Sequence, residues 1–343
     1  MAVATTGSPD TRMAMNTAET ALDLPDDPFD TWFAPAMDQA VLRRLMRRTN
    51  SHGLARFGAW LGLCVATGYL VVLTRHSLWV VPAMIAYGGI LSFAYAASHE
   101  CAHGTAFRTR WLNEAVFWIT SLVFIEEPLY RRYSHAGHHT YTWFNTLDPQ
   151  KPYGVPMTLG EYLSVTLGVT FYIDAVKQLA RHCAGRFTES ERAFLPTSQV
   201  HRVSVNSRIM AACYLTMLVY GLMFASVWPF LLYFIPRLVG GCIVNAYINT
   251  QHMCMAEDKH DHRLTTRSIR CSWPERLLYW NMNYHIEHHL YPAVPFHALS
   301  SLNEQIGNQL PPPVRNVVAA NADIVRAIER QRADPAFNLS QVQ

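Results

Sequence analysis

Charge is scarce in this sequence. Only 15% of its 343 residues are Asp, Glu, Lys or Arg, while 50% are hydrophobic. A soluble globule of this length ordinarily carries about 25% charged residues, so a fully water-exposed surface fits poorly. The net charge of +3 is too small for a nucleic-acid binder, and the basic residues are scattered and form no dense tract. No C-x-x-C pair occurs: the seven cysteines stand singly, several inside apolar runs. That excludes a disulfide framework, a zinc ribbon and an iron–sulfur cluster set. No G-x-G-x-x-G opens a helix after a strand, so no dinucleotide-binding unit is built in. Residues 1–30 are polar and acidic, without the basic n-region and apolar h-region of a secretory leader. They are expected to remain in the cytoplasm, largely without order.

What the sequence does hold is four long apolar runs, the first two of them uncharged. Residues 57–74 make the first, and 18 residues at ~1.5 Å each reach ~27 Å, close to the hydrocarbon thickness of a bilayer. A break at Arg75-His76 leads to the second, 77–98, ending on His99. The third and fourth, 209–227 and 228–250, meet at the Trp228-Pro229 corner. The pattern predicts an all-α integral membrane protein with four transmembrane helices as two hairpins, both termini and the long central segment lying on one side. Arg43, Arg44, Arg47 and Arg48, the basic central segment and the arginines after 262 share that side, which is therefore cytoplasmic. Stretches 111–125 and 162–180 are apolar but short or interrupted by Asp174 and Lys177, and are expected as interfacial or re-entrant helices roofing a site. The division expected is a polar N-terminus (1–50), a membrane domain (51–302) and a cytoplasmic tail (303–343) set off by Pro311-Pro312-Pro313.

Sixteen histidines are unevenly spread, with three clusters standing out: His99-Glu-Cys-Ala-His103, His135-Ala-Gly-His138-His139 and His285-Ile-Glu-His288-His289. Residues three and four apart share one helix face, so each cluster can aim its imidazoles at one point. A lone histidine is usually a surface group or a satisfied core residue. An H-x-x-H-H pattern, however, should arise by chance about 0.03 times in a chain of this composition, and here it occurs twice. His252, where the fourth run ends on the same side, brings the candidate metal ligands to nine, though it also suits a polar helix cap. Nine imidazoles are too many for one tetrahedral zinc and suit two metal ions of four or five ligands each; ligand type alone leaves iron, copper, zinc and nickel open.

With Arg132-Tyr-Ser before His135, and with Asn283-Tyr before and Leu-Tyr-Pro-Ala-Val-Pro after the third cluster, the three boxes resemble those of the membrane fatty acid desaturase and hydroxylase superfamily. The resemblance spans roughly residues 57–302, box order and run order included. It implies a cytoplasmic helical cap holding two Fe ions on His99, His103, His135, His138, His139, His252, His285, His288 and His289. It further implies O2 as co-substrate and an external electron donor. The wording His99-Glu-Cys-Ala-His-Gly-Thr-Ala-Phe107 also resembles bacterial members encoded with Rieske-type ferredoxins, some assigned to oxidation or demethylation of small polar compounds. From this follow the expected partners, a ferredoxin with its reductase, and an expected bacterial inner membrane. Arg131, Arg132, Arg267, Arg270 and Arg276 are candidates for docking such a donor, or for lying at lipid headgroups.

The acids Glu100, Asp148, Glu257, Asp258, Asp261 and Glu287 are candidates for orienting the ligands, because a metal-bound imidazole usually gives its second N–H to a carboxylate or carbonyl. Asn249 and Asn245, one helical turn apart, are candidates for holding a metal-bound water, or for a helix contact. The function expected is oxidation of an unactivated C–H bond, by desaturation or hydroxylation of a fatty acyl or other hydrocarbon chain. The same chemistry on a small methylated compound, as a monooxygenase or demethylase, is the alternative. Two rivals come from other classes. His99-Glu100-x-x-His103 fits the H-E-x-x-H of zinc proteases, where Glu activates water, but that leaves the other two clusters unexplained. A metal transporter would place histidines along both halves of the bilayer, and the run 57–74 has none.

Overall fold

The computed structural model describes residues 32–342, so the polar leader expected over 1–30 lies outside the described residues. Within them the chain is helical, with no strand and a single isolated bridge between Ile269 and Val314. Four helices are long and apolar enough to cross a membrane: Ser51–Thr74, Val80–Ala102, Thr197–Met223 and Phe230–His252. Much of their apolar surface faces outward. Val65, Tyr69, Leu73, Leu215 and Leu222 are all exposed, as lipid-facing side chains must be.

The boundaries differ from the apolar runs for identifiable reasons. The third spanning helix starts at Thr197, well before residue 209, because its first half, with Arg202 and Arg208, is amphipathic. The second is broken at Phe93 into Val80–Ser92 and Ala94–Ala102. The fourth opens with a wide π turn over Phe230–Phe234, just before Pro236, which has no N–H to give the helix. The single interfacial helix expected over 162–180 is two helices, Leu159–Thr166 and Val169–Cys183, because Gly168 adopts a φ of 79° that ends the first.

The second and fourth spanning helices form the spine of the molecule. They touch backbone to backbone through glycines: a Cβ on Gly240 would lie 2.2 Å from the Gly88 carbonyl carbon, and one on Gly88 would lie 1.8 Å from the Pro236 oxygen. In lipid, close packing of this kind replaces the hydrophobic effect as the force that joins helices. The first spanning helix lies against the second, where Trp60 Nε1 donates to the Ile90 carbonyl at 2.9 Å.

Beyond the ends of the second and fourth helices sits a compact polar body. The helix Arg110–Phe124 packs beside Ala94–Ala102, and Pro128–Thr140 follows it. The C-terminal helix Val317–Gln331 buries Ile324 and Ile328 against Met253 and Met255, at the exit of the fourth spanning helix. Met37, Leu42 and Leu45 cover Leu299 and Leu302.

Candidate metal centre

Each histidine cluster stands on a short, firmly seated piece of helix. All nine residues of Ala94–Ala102 are buried, and its alanines leave room for neighbouring elements to close around His99. His103 follows as the cap, one turn on. Pro128–Thr140 starts with proline at its first turn, where a missing N–H costs nothing, and the Glu127 carboxylate accepts from the Leu129 N–H at 3.0 Å and from the Tyr130 N–H. That helix presents His135, His138 and His139. His252 is the last residue of the fourth spanning helix, and the six-residue helix His285–Leu290 supplies His285, His288 and His289.

These elements bring all nine histidines together. One group contains His99, His103, His135, His139 and His288; a second contains His138, His252 and His289, and within each group the ring nitrogens lie within 4.8 Å of one another. His285 adjoins the second group, its Nε2 lying 3.0 Å from that of His252 and 3.2 Å from that of His289.

The approach of like atoms tests whether this donor set suits cations. His99 Nε2 lies 2.8 Å from His288 Nε2 and 2.9 Å from His135 Nε2, and the latter is 3.3 Å from His139 Nε2. A neutral imidazole has one N–H and one lone pair, so a single proton can satisfy only one such contact. The chain of facing nitrogens, together with a buried His103 Nε2 that has no hydrogen-bond partner, fits metal ions placed among them. The far nitrogens are held by the surroundings. His138 Nδ1 pairs with Asp148 Oδ2 at 2.8 Å, His252 Nδ1 with the Thr265 carbonyl at 2.9 Å, and His289 Nδ1 with Thr142 Oγ1 at 3.1 Å. His135 Nδ1 lies 3.0 Å from the Gln150 side-chain amide, and His99 Nδ1 lies 3.4 Å from the Tyr95 hydroxyl. Proton donation outward from Nδ1 leaves Nε2 as a lone pair facing inward.

Electrostatics agree. Burial pushes His103 down to about 3, and burial with neighbouring imidazoles holds His135, His139, His285, His288 and His289 well below the usual histidine range. All are therefore neutral at physiological pH, the form that binds metals. Burial alone would raise Asp148, but His138 and the Trp143 and Gln150 backbone amides outweigh it and keep the carboxylate ionised.

Of the acids read from the sequence, Asp148 alone hydrogen-bonds a clustered histidine among the described residues. Glu100 is fully buried, with one oxygen accepting from the Phe296 N–H. Glu287 is held by Ser268 and Asn303. Glu257 pairs with Lys151, Asp258 with Asn145, and Asp261 caps the turn His262–Thr265. Asn249 donates to Thr166 Oγ1 and Asn245 to the Val165 and Thr166 carbonyls, so both amides make helix contacts. Arg131 and Arg267 are buried, the former paired with Glu126, which removes them from any docking surface; Arg270 remains exposed. Gln150, Thr142 and Tyr95 were missed, since polar or aromatic residues outside the boxes give no spacing signal. So was His262, buried with its ring 5.2 Å from that of His289.

A cavity of about 320 Å³ opens beside the centre, and His99, His135, His138, His252 and His285 line its inner end. Around it run parts of the helices 128–140, 169–183 and 235–252 and the 149–153 loop.

Comparison with known proteins bears on this arrangement. The sequence model of the family described as Fatty acid desaturase matches residues 76–318, which include all three clusters and His252. Among characterised proteins, the chain is 26% identical over 276 residues to fatty acid conjugase FAC2 A of Calendula officinalis, covering 68% of this chain and 70% of that one. Fatty acid conjugase FAC2 B of the same plant is 25% identical over 273 residues, with the same coverage.

Proposed function

Because this chain belongs to the fatty acid desaturase family, an oxidoreductase family of the membrane, we propose that it is an O2-dependent di-iron oxidase. It attacks an unactivated C–H bond, by desaturation or hydroxylation. The observation that carries the reading is the convergence of nine imidazoles in two adjoining groups. In this reading His99, His103, His135, His139 and His288 hold one ion, and His138, His252, His285 and His289 the other. The family's breadth, and the fatty acid conjugases among its relatives, favour a fatty acyl or other hydrocarbon substrate, with a small methylated compound as the alternative.

A pair of irons bound there would supply the redox chemistry that turns molecular oxygen against a C–H bond. The chain's own residues do the rest. Asp148, Thr265, Thr142 and Gln150 fix the imidazole orientations, so the ligand lone pairs are aimed before any metal arrives. The helices around the cavity keep bulk water from the inner end and seat one substrate carbon near the histidines. A protease reading is disfavoured by Glu100: its carboxylate is turned to the Phe296 backbone and does not line the cavity. With no second redox motif in the sequence, electrons come from a separate ferredoxin-type donor, and the exposed Arg270 and half-buried Arg276 suit an acidic partner. The arginine distribution puts the centre and both termini on the cytoplasmic side, and the chain divides into 1–50, 51–302 and 303–343.

Elemental analysis of anaerobically purified protein tests this. Close to two irons per chain, falling in His138→Ala, is expected. A single zinc that survives the loss of His138 and depends on His99 and His103 would overturn the di-iron reading.

A further inference from the structure

A buried redox centre needs a route by which electrons reach it, and transfer through protein falls steeply with the gap between conjugated groups. Three rings from outside the nine histidines lie against them. Tyr95 stands edge-on to His99 at 5.7 Å, Trp143 stacks on His252 at 5.2 Å, and His262 lies 5.2 Å from His289. The first two lead into the cavity wall. Tyr95 continues to Phe124 and Phe171, Trp143 continues to Tyr153, and all of these rings line the cavity. Those faces of the centre belong to the substrate.

The third ring leads to solvent. His262 is buried, and its ring lies 5.4 Å from that of Trp32, which is 48% exposed. His260 sets a second ring against Trp32 at 5.0 Å. None of Trp32, His260, His262 and His289 lines the cavity. At the inner end, His289 belongs to one histidine group and stacks on His139 of the other, with centroids 4.1 Å apart and planes 22° from parallel. An electron arriving at His289 is therefore in ring contact with both groups. The segment that carries Trp32 is also tied down. The Arg263 guanidinium lies over Phe33, the Pro35 carbonyl accepts from the Tyr291 hydroxyl at 3.4 Å, and the Ala36 backbone exchanges hydrogen bonds with the Gln309 amide. An exposed tryptophan held in place is the kind of anchor on which protein interfaces depend.

We infer that Trp32 and His262 form the electron entry to the histidine centre, with Trp32 the contact point for a one-electron iron–sulfur donor, so that electrons and substrate approach by separate faces. The inference rests on the oxidase reading above and adds the route to it. Each transfer oxidises one donor cluster and reduces one iron of the pair, with no bond made or broken, and two reduced donors supply one turnover. Trp32 and His262 relay the electron and end each transfer unchanged.

The test uses full-length, iron-loaded protein in lipid nanodiscs, with iron measured on every sample and with plant-type and Rieske-type ferredoxins as donors. Oxidative footprinting read by mass spectrometry locates the contact. Saturating ferredoxin is expected to protect Trp32 and to leave Trp79 unprotected; Trp79 is 72% exposed and precedes the second spanning helix, at the opposite end from His99. Anaerobic stopped-flow absorbance then follows reduction of the iron at saturating donor. Trp32→Leu and His262→Leu are expected to slow it several-fold and Trp32→Tyr to restore it, while reduction by dithionite proceeds alike in all. Trp32 is exposed, so its variants do not depend on repacking the core. The inference falls if Trp32 stays unprotected, if Trp32→Leu takes electrons as fast as the wild type, if its dithionite rate falls in parallel, or if Tyr153→Leu produces the slowing instead. Low iron in the wild type would overturn the oxidase reading and this inference with it, whereas full iron with an unchanged Trp32→Leu overturns the inference alone.

Discussion

His99 and His288 face each other through their Nε2 atoms at 2.8 Å although 189 residues separate them in the chain. Each is fully buried, and each comes from a different helix. The first and third boxes are thus joined at one point, and the second box meets them through His135 and His139.

Removing Asp148 frees the His138 ring to rotate and change tautomer, because no other acid reaches it. Asp148→Ala is expected to weaken metal retention about 10- to 100-fold, as measured by competition with a chelator, with helicity by circular dichroism unchanged.

The glycine contact between the second and fourth spanning helices leaves no room for a methyl group. Gly240→Ala drives a Cβ into the Gly88–Gly89 backbone at 2.2 Å, where no flexible side chain can yield. A loss of about 1–3 kcal/mol or more is expected, seen as a lower thermal midpoint in detergent. Gly58→Ala on the first helix, with nothing within 4 Å, should be neutral or slightly stabilising.

Glu191 provides a pH signature away from the metal centre. Burial alone would raise its carboxyl, but His182, the Thr188 backbone and Arg181 outweigh this and bring it down to about 2, below the usual 4.5. A carboxyl depressed by folding contributes stability that is complete above the unfolded value and is lost as pH falls through the folded one. Thermal midpoints of the wild type should therefore drop between about pH 4.5 and 2, and Glu191→Gln should flatten that part of the profile.

Donor docking through exposed arginines predicts a turnover that falls with ionic strength when the ferredoxin is limiting. Arg270→Glu should raise the apparent KM for the donor several-fold and leave kcat at saturating donor unchanged. Steady-state kinetics across a salt series separates this from a lipid-headgroup role, which would leave the KM for the donor unmoved.

The helical class and the convergence of the histidines were legible in the sequence because both rest on periodicity. Apolar runs announce spanning helices, and the i, i+3, i+4 spacing of imidazoles announces convergence, with His252 found from its place at the end of a run. The supporting shell was only partly legible. Asp148 could be named because it is acidic and close in sequence to the second box. Glu257, Asp258 and Asp261 had the same credentials and bind loop residues instead. Gln150 and Thr142 carry no pattern at all, since what selects them is a distance that exists only after folding. The helix break at Gly168 was hidden for a similar reason: one left-handed residue inside an apolar stretch does not disturb the hydrophobic period.

The nine imidazoles come from segments at residues 99–103, 135–139, 252 and 285–289, and the last six-residue helix completes both groups. During synthesis, then, the centre cannot close until all four spanning helices have been inserted and the third box has left the ribosome. On the di-iron reading, metal capture would be an event of completed threading, and a chain stalled or mis-inserted before residue 285 would present unpaired imidazoles and exposed apolar helix to the quality-control machinery of the membrane.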